Sequence, residues 1–290
     1  MFSKGCAIAE VYTFPVLISH YFMDETVESS IASFVIINDE GWIITAAHVI
    51  DPIFLAQKHA VEIQKNDEAI AHIERNTSLD EREKKRRMHR FNPDQKWIKK
   101  YSYWWGADTH QISQWHILKE NDIAVGQIEN YDPDFIKTYP TFKEPVQLKH
   151  GTSLCKIGFP FYDIKATFDK EKSRFSFGPD VFPIPRFPLE GMFTRDIGAG
   201  KSADGQFDIK FLETSSPGLR GQSGGPIFDT EGRIWAIQSQ TRHLPLGFSP
   251  KIKSGTREVE ENQFLNVGWG AHIEIILKFL DLHSIKYNSG

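Results

Sequence analysis

A serine flanked by glycines lies in the segment Gly-Gln-Ser-Gly-Gly-Pro at residues 221–226. A serine hydroxyl is a weak nucleophile at neutral pH, so it needs a base that removes its proton and donors that hold the oxyanion formed on attack. The glycines allow a tight turn, and the backbone N–H groups of Gly221 and Ser223 could then point at one substrate oxygen. This pattern indicates acyl transfer at Ser223, with an ordinary glycine-rich turn as the alternative.

Two other segments could supply the base and its partner. His48 lies in Thr-Ala-Ala-His-Val, where small neighbours would leave the imidazole room in a narrow cleft. Asp122 opens the apolar run of Asn-Asp-Ile-Ala-Val, so its carboxylate is expected to be partly buried and to need a partner. A hydrogen bond from His48 Nδ1–H would satisfy it and fix the tautomer that accepts a serine proton. Taken singly, the histidine fits a core or surface residue and the aspartate fits a strand cap.

Short apolar runs that could position these residues are spread along the chain. They predict strands at 7–18, 31–37, 42–45, 123–125, 155–157, 207–212 and 234–237. The turn chemistry of residues 38–41, Asn-Asp-Glu-Gly, predicts a hairpin between the second and third runs. Near the end, Ile273, Ile276, Leu277 and Leu280 form one apolar stripe of an amphipathic helix. Many short strands with a terminal helix predict an all-β barrel or sandwich.

The segment from about 52 to 115 differs from the rest of the chain, being charged and rich in helix formers. Ser78 and Glu81 fit a capping box that would start a second helix. Residues 81–100 hold nine Lys/Arg and three Asp/Glu, a balance of 9 − 3 = +6. This basic stretch and the aromatic residues 97–105 could together bind nucleic acid. Alternatively, the basic stretch is a solvated helix face and the aromatic residues cover the core. Four prolines and four phenylalanines in residues 175–188 predict a long ordered loop.

Composition limits the class of protein. The chain has 290 residues and a net charge of 34 − 38 = −4, so it is not a polyanion binder as a whole. It has neither an apolar run of about 18 residues nor a recognisable secretory signal, and its two cysteines exclude a disulfide scaffold. We therefore expect a cytoplasmic protein without a membrane span. No spacing of histidines, cysteines or glycines indicates a metal site, and no cofactor is expected.

The three segments occur in the order and local sequence found in chymotrypsin-fold serine proteases. Residues 31–50, which run from the first strand of the hairpin to the histidine, resemble the equivalent part of bacterial HtrA-type and related trypsin-like peptidase domains. Residues 211–214 and 221–233 resemble the serine segment of that family, and residues 267–280 resemble its last strand and helix. The resemblance spans both halves of the chain, and three motifs in the right order are more specific than any one of them.

This resemblance implies an all-β fold of two perpendicular six-stranded antiparallel β-barrels with the active site between them. The first barrel, residues 1–150, would carry His48, Asp122 and a helical insertion at about 52–115. The second, residues 151–290, would carry Ser223 and end in a helix at about 271–283. His48 would be the general base and then the acid, Asp122 would orient it, and Ser223 would attack the scissile carbonyl. The N–H groups of Gly221 and Ser223 would form the oxyanion hole.

The resemblance also implies substrate-binding residues. Ser239 matches the serine beside the buried aspartate, and Ser239, Gln240 and Thr241 would pair with the substrate backbone as a strand. The base of the primary pocket would lie near Ser216 and Pro217, with Gly268 and Gly270 on other walls. No acid lies there, so a preference for Arg or Lys is disfavoured and a small or medium uncharged side chain is expected. Gln238 or His243 could instead bind a polar side chain.

The chain departs from the pattern of the digestive enzymes at Gln222. Those enzymes have an aspartate there, which receives a new N-terminal amine on activation, so that route is not expected here. Control by a partner is the alternative, through the insertion or through the loop at 175–188. Few residues follow position 283, and a PDZ domain is not expected.

The sequence therefore predicts a serine endopeptidase that acts through an acyl-enzyme on a restricted set of protein or peptide substrates. An activating protein partner is possible. Two alternatives stay open: a catalytically silent binding module of protease fold, and a nucleic-acid-associated protein that uses the basic stretch 81–100.

Overall fold

The computed structural model describes residues 1–254, 257–260 and 263–290, and most of its strand residues lie in two β-sheets. Among these residues, no helix combines the length and the apolarity that a membrane span needs. The first sheet has six strands in the order β4-β1-β2-β3-β6-β5. Its strands are β1 (Thr13–Phe22), β2 (Val27–Ile36), β3 (Trp42–Thr45), β4 (Ile98–Trp105), β5 (Ile112–Leu118) and β6 (Ile123–Ile128).

The second sheet has eight strands in the order β13-β8-β11-β12-β17-β14-β7-β18, and β13 also pairs with β14. Six of them therefore form a continuous ring of hydrogen-bonded neighbours. The eight strands are β7 (Thr141–Phe142), β8 (Ser153–Lys156), β11 (Leu189–Lys201), β12 (Asp208–Thr214), β13 (Pro226–Phe228), β14 (Ile234–Pro245), β17 (Phe264–His272) and β18 (Asn288–Ser289). Two small hairpins complete the strands, β9 (Ala166–Asp169) with β10 (Arg174–Phe177) and β15 (Lys251–Ser254) with β16 (Arg257–Glu260).

This architecture confirms the mostly-β class, with two details that differ from the expectation. In the first sheet the edge strands β4 and β5 meet through side chains, since the rings of Trp105 and Trp115 lie 5.6 Å apart. In the second sheet β7 pairs in parallel with β14 and β18, so this sheet is not wholly antiparallel. Strands β7 and β18 thus extend the sheet beside β14, outside the ring of six strands, and the order of strands in the ring is unchanged. The division into domains at residue 150 stays a prediction, and β7 of the second sheet precedes that residue.

The hairpin that precedes the histidine forms as the sequence predicts. β2 and β3 pair around residues 38–41, and Gly41 adopts a φ of +78°. Asn38 Oδ1 accepts the backbone N–H groups of Glu40 at 3.0 Å and of Trp42 at 3.3 Å, which fixes the turn. The inner residues of both strands are buried in the main core, so the end of β3 is held rigidly at Thr45.

The helices are α1 (Ser3–Tyr12), α2 (Ala47–Arg75), α3 (Glu81–Met88) and α4 (Ile273–Leu282). Helix α4 confirms the predicted terminal helix, and the four residues of its predicted stripe are all buried. The expected helical insertion at 52–115 is wrong at both ends. Its helices start at Ala47 and end at Met88, after which a 3₁₀ turn runs to Phe91, and residues 98–105 and 112–118 are strands of the first sheet.

Two local predictions in the first hundred residues are also wrong. The run 7–18 is a strand only from Thr13, because residues 3–12 form α1. The cap of α3 is Asp80, whose Oδ1 accepts Glu83 N–H at 2.7 Å, and not Ser78. The aromatic stretch 97–105 contributes β4, and Trp105 is buried there, so that ring is part of the core cover.

The two ends of the described chain cross over to the opposite sheet. Helix α1 leads into β1 of the first sheet, yet Tyr12 Oη donates to Gly232 O at 3.0 Å, and the Sγ atoms of Cys6 and Cys155 lie 4.0 Å apart. At the other end, Asn38 Nδ2 donates to Lys286 O at 2.8 Å, and the rings of His283 and His116 stack at 3.8 Å. Each sheet is therefore covered in part by a segment adjacent in sequence to the other.

Candidate active site

The candidate base, His48, lies in the first turn of α2, which begins directly after β3. The N-cap residue of this helix, Ala46, has no side chain that can accept a hydrogen bond. Asp122 supplies the missing acceptors, since its backbone O accepts Ala47 N–H at 3.1 Å and its Oδ1 accepts His48 N–H at 2.9 Å. A carboxylate at a helix N-terminus is favourable because of the exposed N–H groups and the helix dipole.

Asp122 also binds the imidazole of His48. Its Oδ2 lies 2.8 Å from His48 Nδ1 and accepts the hydroxyl of Ser239 at 2.5 Å. Asp122 follows a 3₁₀ turn (Lys119–Asn121) and adopts a φ of +55°, a left-handed conformation that aspartate tolerates better than most residues. The carboxylate of Asp122 thus takes part in three hydrogen bonds, and its backbone is constrained. Together these features fix Nδ1 of His48 towards Asp122.

The electrostatics of His48 follow from this contact. Burial works against the charged imidazolium, but the hydrogen bond and the negative charge of Asp122, with a further contribution from Asp51, outweigh it and raise the pKa of His48 above its ordinary value. The side chain remains about half exposed, and Nε2 makes no hydrogen bond to any described residue. An imidazole held in this way can accept a proton on Nε2.

Ser223 lies in the loop between β12 and β13. Its hydroxyl is 3.4 Å from Ser239 O and makes no hydrogen bond to His48 in the structure. Both side chains line the same cleft, so a nucleophile and a base face one space. Contacts of this kind are often long without substrate and shorten when it binds.

The backbone around Ser223 is held from both sheets. Ser33 of β2 donates its N–H to Ser223 O at 2.8 Å and its hydroxyl to Gly221 O at 2.7 Å. Gly221 has a φ of +95°, and a Cβ there would lie 2.3 Å from Phe159 O, so only glycine fits. Among the described residues the N–H groups of Gly221 and Ser223 have no acceptor, which leaves two donors free beside the hydroxyl.

Gln222 supports the same loop with its side chain. It is fully buried, its Oε1 accepts Leu219 N–H at 3.0 Å, and its Nε2 donates to Phe187 O at 3.2 Å. The loop is therefore fixed by contacts within this chain, without an aspartate at this position. Sequence reasoning identified the departure at Gln222 but could not identify its partners.

The predicted substrate-binding residues separate into two groups. Pro217, Ser239, Gln240 and Thr241 line one cavity together with Ser223. Beyond Ile237, β14 pairs only with β17 among the described strands, so the edge at residues 239–241 is open to a further strand. Ser216 and Gly268 do not line this cavity but lie close to each other, since a Cβ on Gly268 would be 2.7 Å from Ser216 O. Gly270 pairs with Gln238 on the adjoining strand.

A buried lysine that sequence reasoning missed lies between Ser216 and Gly268. Lys156 Nζ donates to Ser216 O at 2.6 Å and to Pro217 O at 2.9 Å, and a Cβ on Gly268 would lie 2.6 Å from it. Burial lowers the pKa of Lys156 from 10.5 to about 7, because a buried ammonium loses its hydration. No carboxylate among the described residues pairs with it.

This burial gives a prediction about stability. A lysine whose folded pKa is lowered binds fewer protons when folded than when unfolded between about pH 7 and 10, so its destabilising effect is full below pH 7 and declines as the pH rises. We expect Lys156→Met to be more stable than the wild type at pH 6 by about 1–4 kcal/mol. Urea unfolding at pH 6 and pH 10 measures this difference, which should shrink at the higher pH. A difference independent of pH would contradict the lowered pKa.

Metal ligands do not cluster in this region. Within residues 1–254, 257–260 and 263–290, no group of three or more His, Cys, Asp or Glu side chains is placed to hold a metal ion. The groups that the site brings together are a serine hydroxyl, an imidazole, a carboxylate and two backbone N–H groups.

Comparison with known families identifies the chain. The family model of the trypsin-like peptidase domain matches residues 32–237, well over half of the sequence, and this range contains His48, Asp122 and Ser223. The chain belongs to the trypsin-like peptidase family. A search of the curated proteins found no match to this peptidase.

Solved structures resemble the peptidase at low sequence identity. The Rv3671c protease from M. tuberculosis in its active form has 11% identity and a TM-score of 0.50, with 99% of this chain and 86% of that chain covered. A structure of the HtrA-type protease AlgW with a tripeptide has 16% identity and a TM-score of 0.47, with 98% and 65% covered. The peptidase thus spans less than two thirds of the AlgW chain. At these identities, the likeness to Rv3671c concerns the fold.

Proposed function

We propose that this peptidase is a serine endopeptidase that hydrolyses peptide bonds with Ser223, His48 and Asp122 through an acyl-enzyme. The observation that supports this most directly is the hydrogen-bond chain from the hydroxyl of Ser239 through Asp122 to His48 Nδ1. It leaves Nε2 of His48 as the available proton acceptor in a cleft that Ser223 also lines.

The proposed mechanism uses each group in turn. His48 Nε2 takes the proton of Ser223 Oγ as the oxygen attacks the scissile carbonyl, and the N–H groups of Gly221 and Ser223 hold the oxyanion. His48 then gives the proton to the leaving amine, which departs and leaves an ester on Ser223. Water attacks the ester in the same way and regenerates the serine. Asp122 keeps its negative charge throughout and stabilises the imidazolium.

We also propose that the substrate range is restricted and the activity regulated. Helix α2 contains His48 in its first turn and extends 29 residues to Arg75, so a partner bound to the helices could reach the base. In α3, Glu83 pairs with Arg86 and Arg87, which neutralises part of the positive charge of this stretch. A protein or peptide is therefore favoured here over nucleic acid. The two unbridged cysteines favour a cytoplasmic location.

A fluorophosphonate probe tests the proposed function directly, because it reacts only with a serine that a working base activates. We expect one adduct per chain, located on Ser223 by peptide mass spectrometry, and none in Ser223→Ala. An adduct on another serine, or no adduct on folded protein in the presence of any candidate activator, would contradict the proposal.

The contacts of His48 give a prediction about pH. Since the neutral imidazole is the base, kcat/KM should rise as the pH passes through the pKa of His48, which lies above its ordinary value. Replacing Asp51 by Asn removes one of the charges that raise this pKa, so the acidic limb of the profile should move to lower pH. A profile of kcat/KM from pH 5 to 9 measures this.

Asp67→Asn is the matched control for that experiment. It removes the same charge from the same helix about 24 Å further along, where it cannot act on His48. The two variants should therefore differ. A limb that moves equally in both, or in neither, would contradict the assignment of His48 as the titrating base.

A further inference from the structure

The cleft that His48 and Ser223 line is separate from the cavity along β14, although Ser223 lines both. It has a volume of about 750 Å³ and lies between β1, β2, the start of α2 and the loop at 161–163. Its apolar lining comes from Ile18, Ile31, Val49, Pro52 and Phe161. The charged side chains at its border, Asp163 and Arg220, are exposed and thus leave the apolar floor free.

The position of this cleft determines which part of a substrate would enter it. The open edge of β14 lies in the other cavity, so the acyl half of the substrate, which precedes the scissile bond, pairs there. His48 lines the apolar cleft and not the cavity along β14. Since His48 must protonate the leaving amine, the residues that follow the scissile bond lie on its side.

The cavity along β14 is the smaller of the two, with a volume of about 460 Å³. Thr241 Oγ1 donates to Gly218 O across it, and Gln238 Nε2 lies 2.2 Å from where a Cβ of Gly218 would be. Lys156 Nζ donates to the backbone O of Pro217, which lines the same cavity, at 2.9 Å. The side chain before the scissile bond therefore meets a smaller cavity with polar walls, whereas the one after it meets a larger apolar cleft.

Phe161 gives the cleft an exposed apolar rim. Its side chain is 76% exposed, its φ is +61°, and its ring contacts that of Phe187 edge to face at 5.3 Å. A non-glycine residue in this conformation, with a large apolar side chain held open to solvent, is unusual. Contact with a substrate side chain would remove this surface from water.

On the basis of the proposed function, we propose that the peptidase selects substrates mainly by the residues after the scissile bond. A large apolar side chain, such as Leu, Ile, Met or Phe, at the first or second position after that bond would bind the cleft of Ile18, Ile31, Val49, Pro52 and Phe161. The residue before the bond would be small.

Acyl transfer to added amines tests this, because only the leaving half of a substrate is varied. An N-acetyl-trialanine p-nitrophenyl ester forms the acyl-enzyme, and an amino-acid amide then competes with water for it. The amine nitrogen bonds to the acyl carbon, the ester bond to Ser223 Oγ breaks, and the amine proton passes through His48 to that oxygen. The ratio of peptide product to hydrolysis product reports binding in the cleft.

We expect leucine amide and phenylalanine amide to be more efficient acceptors than glycine amide by about 10- to 100-fold. Phe161→Ala should reduce this preference about three- to tenfold, since part of the apolar contact is lost. Phe248→Ala, which removes another exposed phenylalanine outside the cleft, should keep it. Phe248→Ala should also hydrolyse the ester at the wild-type rate, since Phe248 lines neither of the two cavities.

The possible failures are distinguishable. If the release of p-nitrophenol shows no acyl-enzyme, the proposed function is wrong and this inference falls with it. If the acyl-enzyme forms but glycine amide and leucine amide compete equally with water, the function stands and the apolar selection is wrong. Equal loss of preference in Phe161→Ala and Phe248→Ala would also overturn the assignment of the cleft.

Discussion

Replacing Ser223 by alanine is expected to lower kcat for peptide hydrolysis by about 10⁵- to 10⁶-fold. The variant lacks the oxygen that forms the acyl-enzyme, and His48 then has no proton to accept. The fold should change little, because the hydroxyl of Ser223 makes one long hydrogen bond among the described residues, to Ser239 O at 3.4 Å. The free N–H groups of Gly221 and Ser223 remain, so weak binding of substrate should persist.

The measurement is the rate of cleavage of a quenched fluorescent peptide by the purified variant. Ser113→Ala is the matched control, since this serine lies on β5 and its hydroxyl likewise makes one long hydrogen bond within the described part of the chain, to Gln127 O at 3.5 Å. It should retain wild-type activity. Undiminished proteolysis by a preparation of Ser223→Ala that is free of other proteases would exclude Ser223 as the nucleophile.

The second large effect is expected at Asp122. Asp122→Asn should lower kcat about 10⁴-fold, as expected when the wrong tautomer of the histidine is favoured. An amide nitrogen in place of Oδ2 would donate to His48 Nδ1, so the proton would move to Nε2, which could then no longer accept one. Asparagine keeps Oδ1 for the N–H of His48 and tolerates the left-handed φ of +55°.

Thermal unfolding distinguishes this loss of activity from a loss of the folded structure. We expect Asp122→Asn to melt close to the wild type, whereas Asp122→Ala should melt lower because α2 loses its acceptor at the N-terminus. Full activity in folded Asp122→Asn would rule out the role of this carboxylate in orienting His48.

The candidate site residues could be predicted from the sequence because each lies within a short, recognisable segment. Each of His48, Asp122 and Ser223 lies among small or apolar neighbours, and the order of the three segments carries more information than any one of them. The hairpin before His48 was also accessible, since Asn38 and Gly41 specify its turn with their own chemistry. Local signals of this kind do not depend on distant parts of the chain.

The features that could not be predicted from the sequence depend on contacts between residues that are far apart in the chain. Residues 7–12 have β-branched and aromatic members, yet they form a helix because Ile8 and Tyr12 contact the turn at 229–232 of the other sheet. Lys156 has no local signal, because its partners Ser216 O and Pro217 O are 60 residues away in sequence. The start of α2 at Ala47 was missed because its acceptor is supplied by Asp122 and not by a capping residue.

The crossing of the two chain ends has a consequence for how the molecule unfolds. Helix α1 contacts the turn at 229–232, and Lys286 contacts the turn that begins at Asn38. The N-terminal segment therefore binds the second sheet, and the C-terminal segment binds the first. Separating the two sheets would break both sets of contacts together and expose the surfaces that they bury. The two halves should thus melt in a single cooperative transition, and the groove between His48 and Ser223 should keep its width until that transition begins.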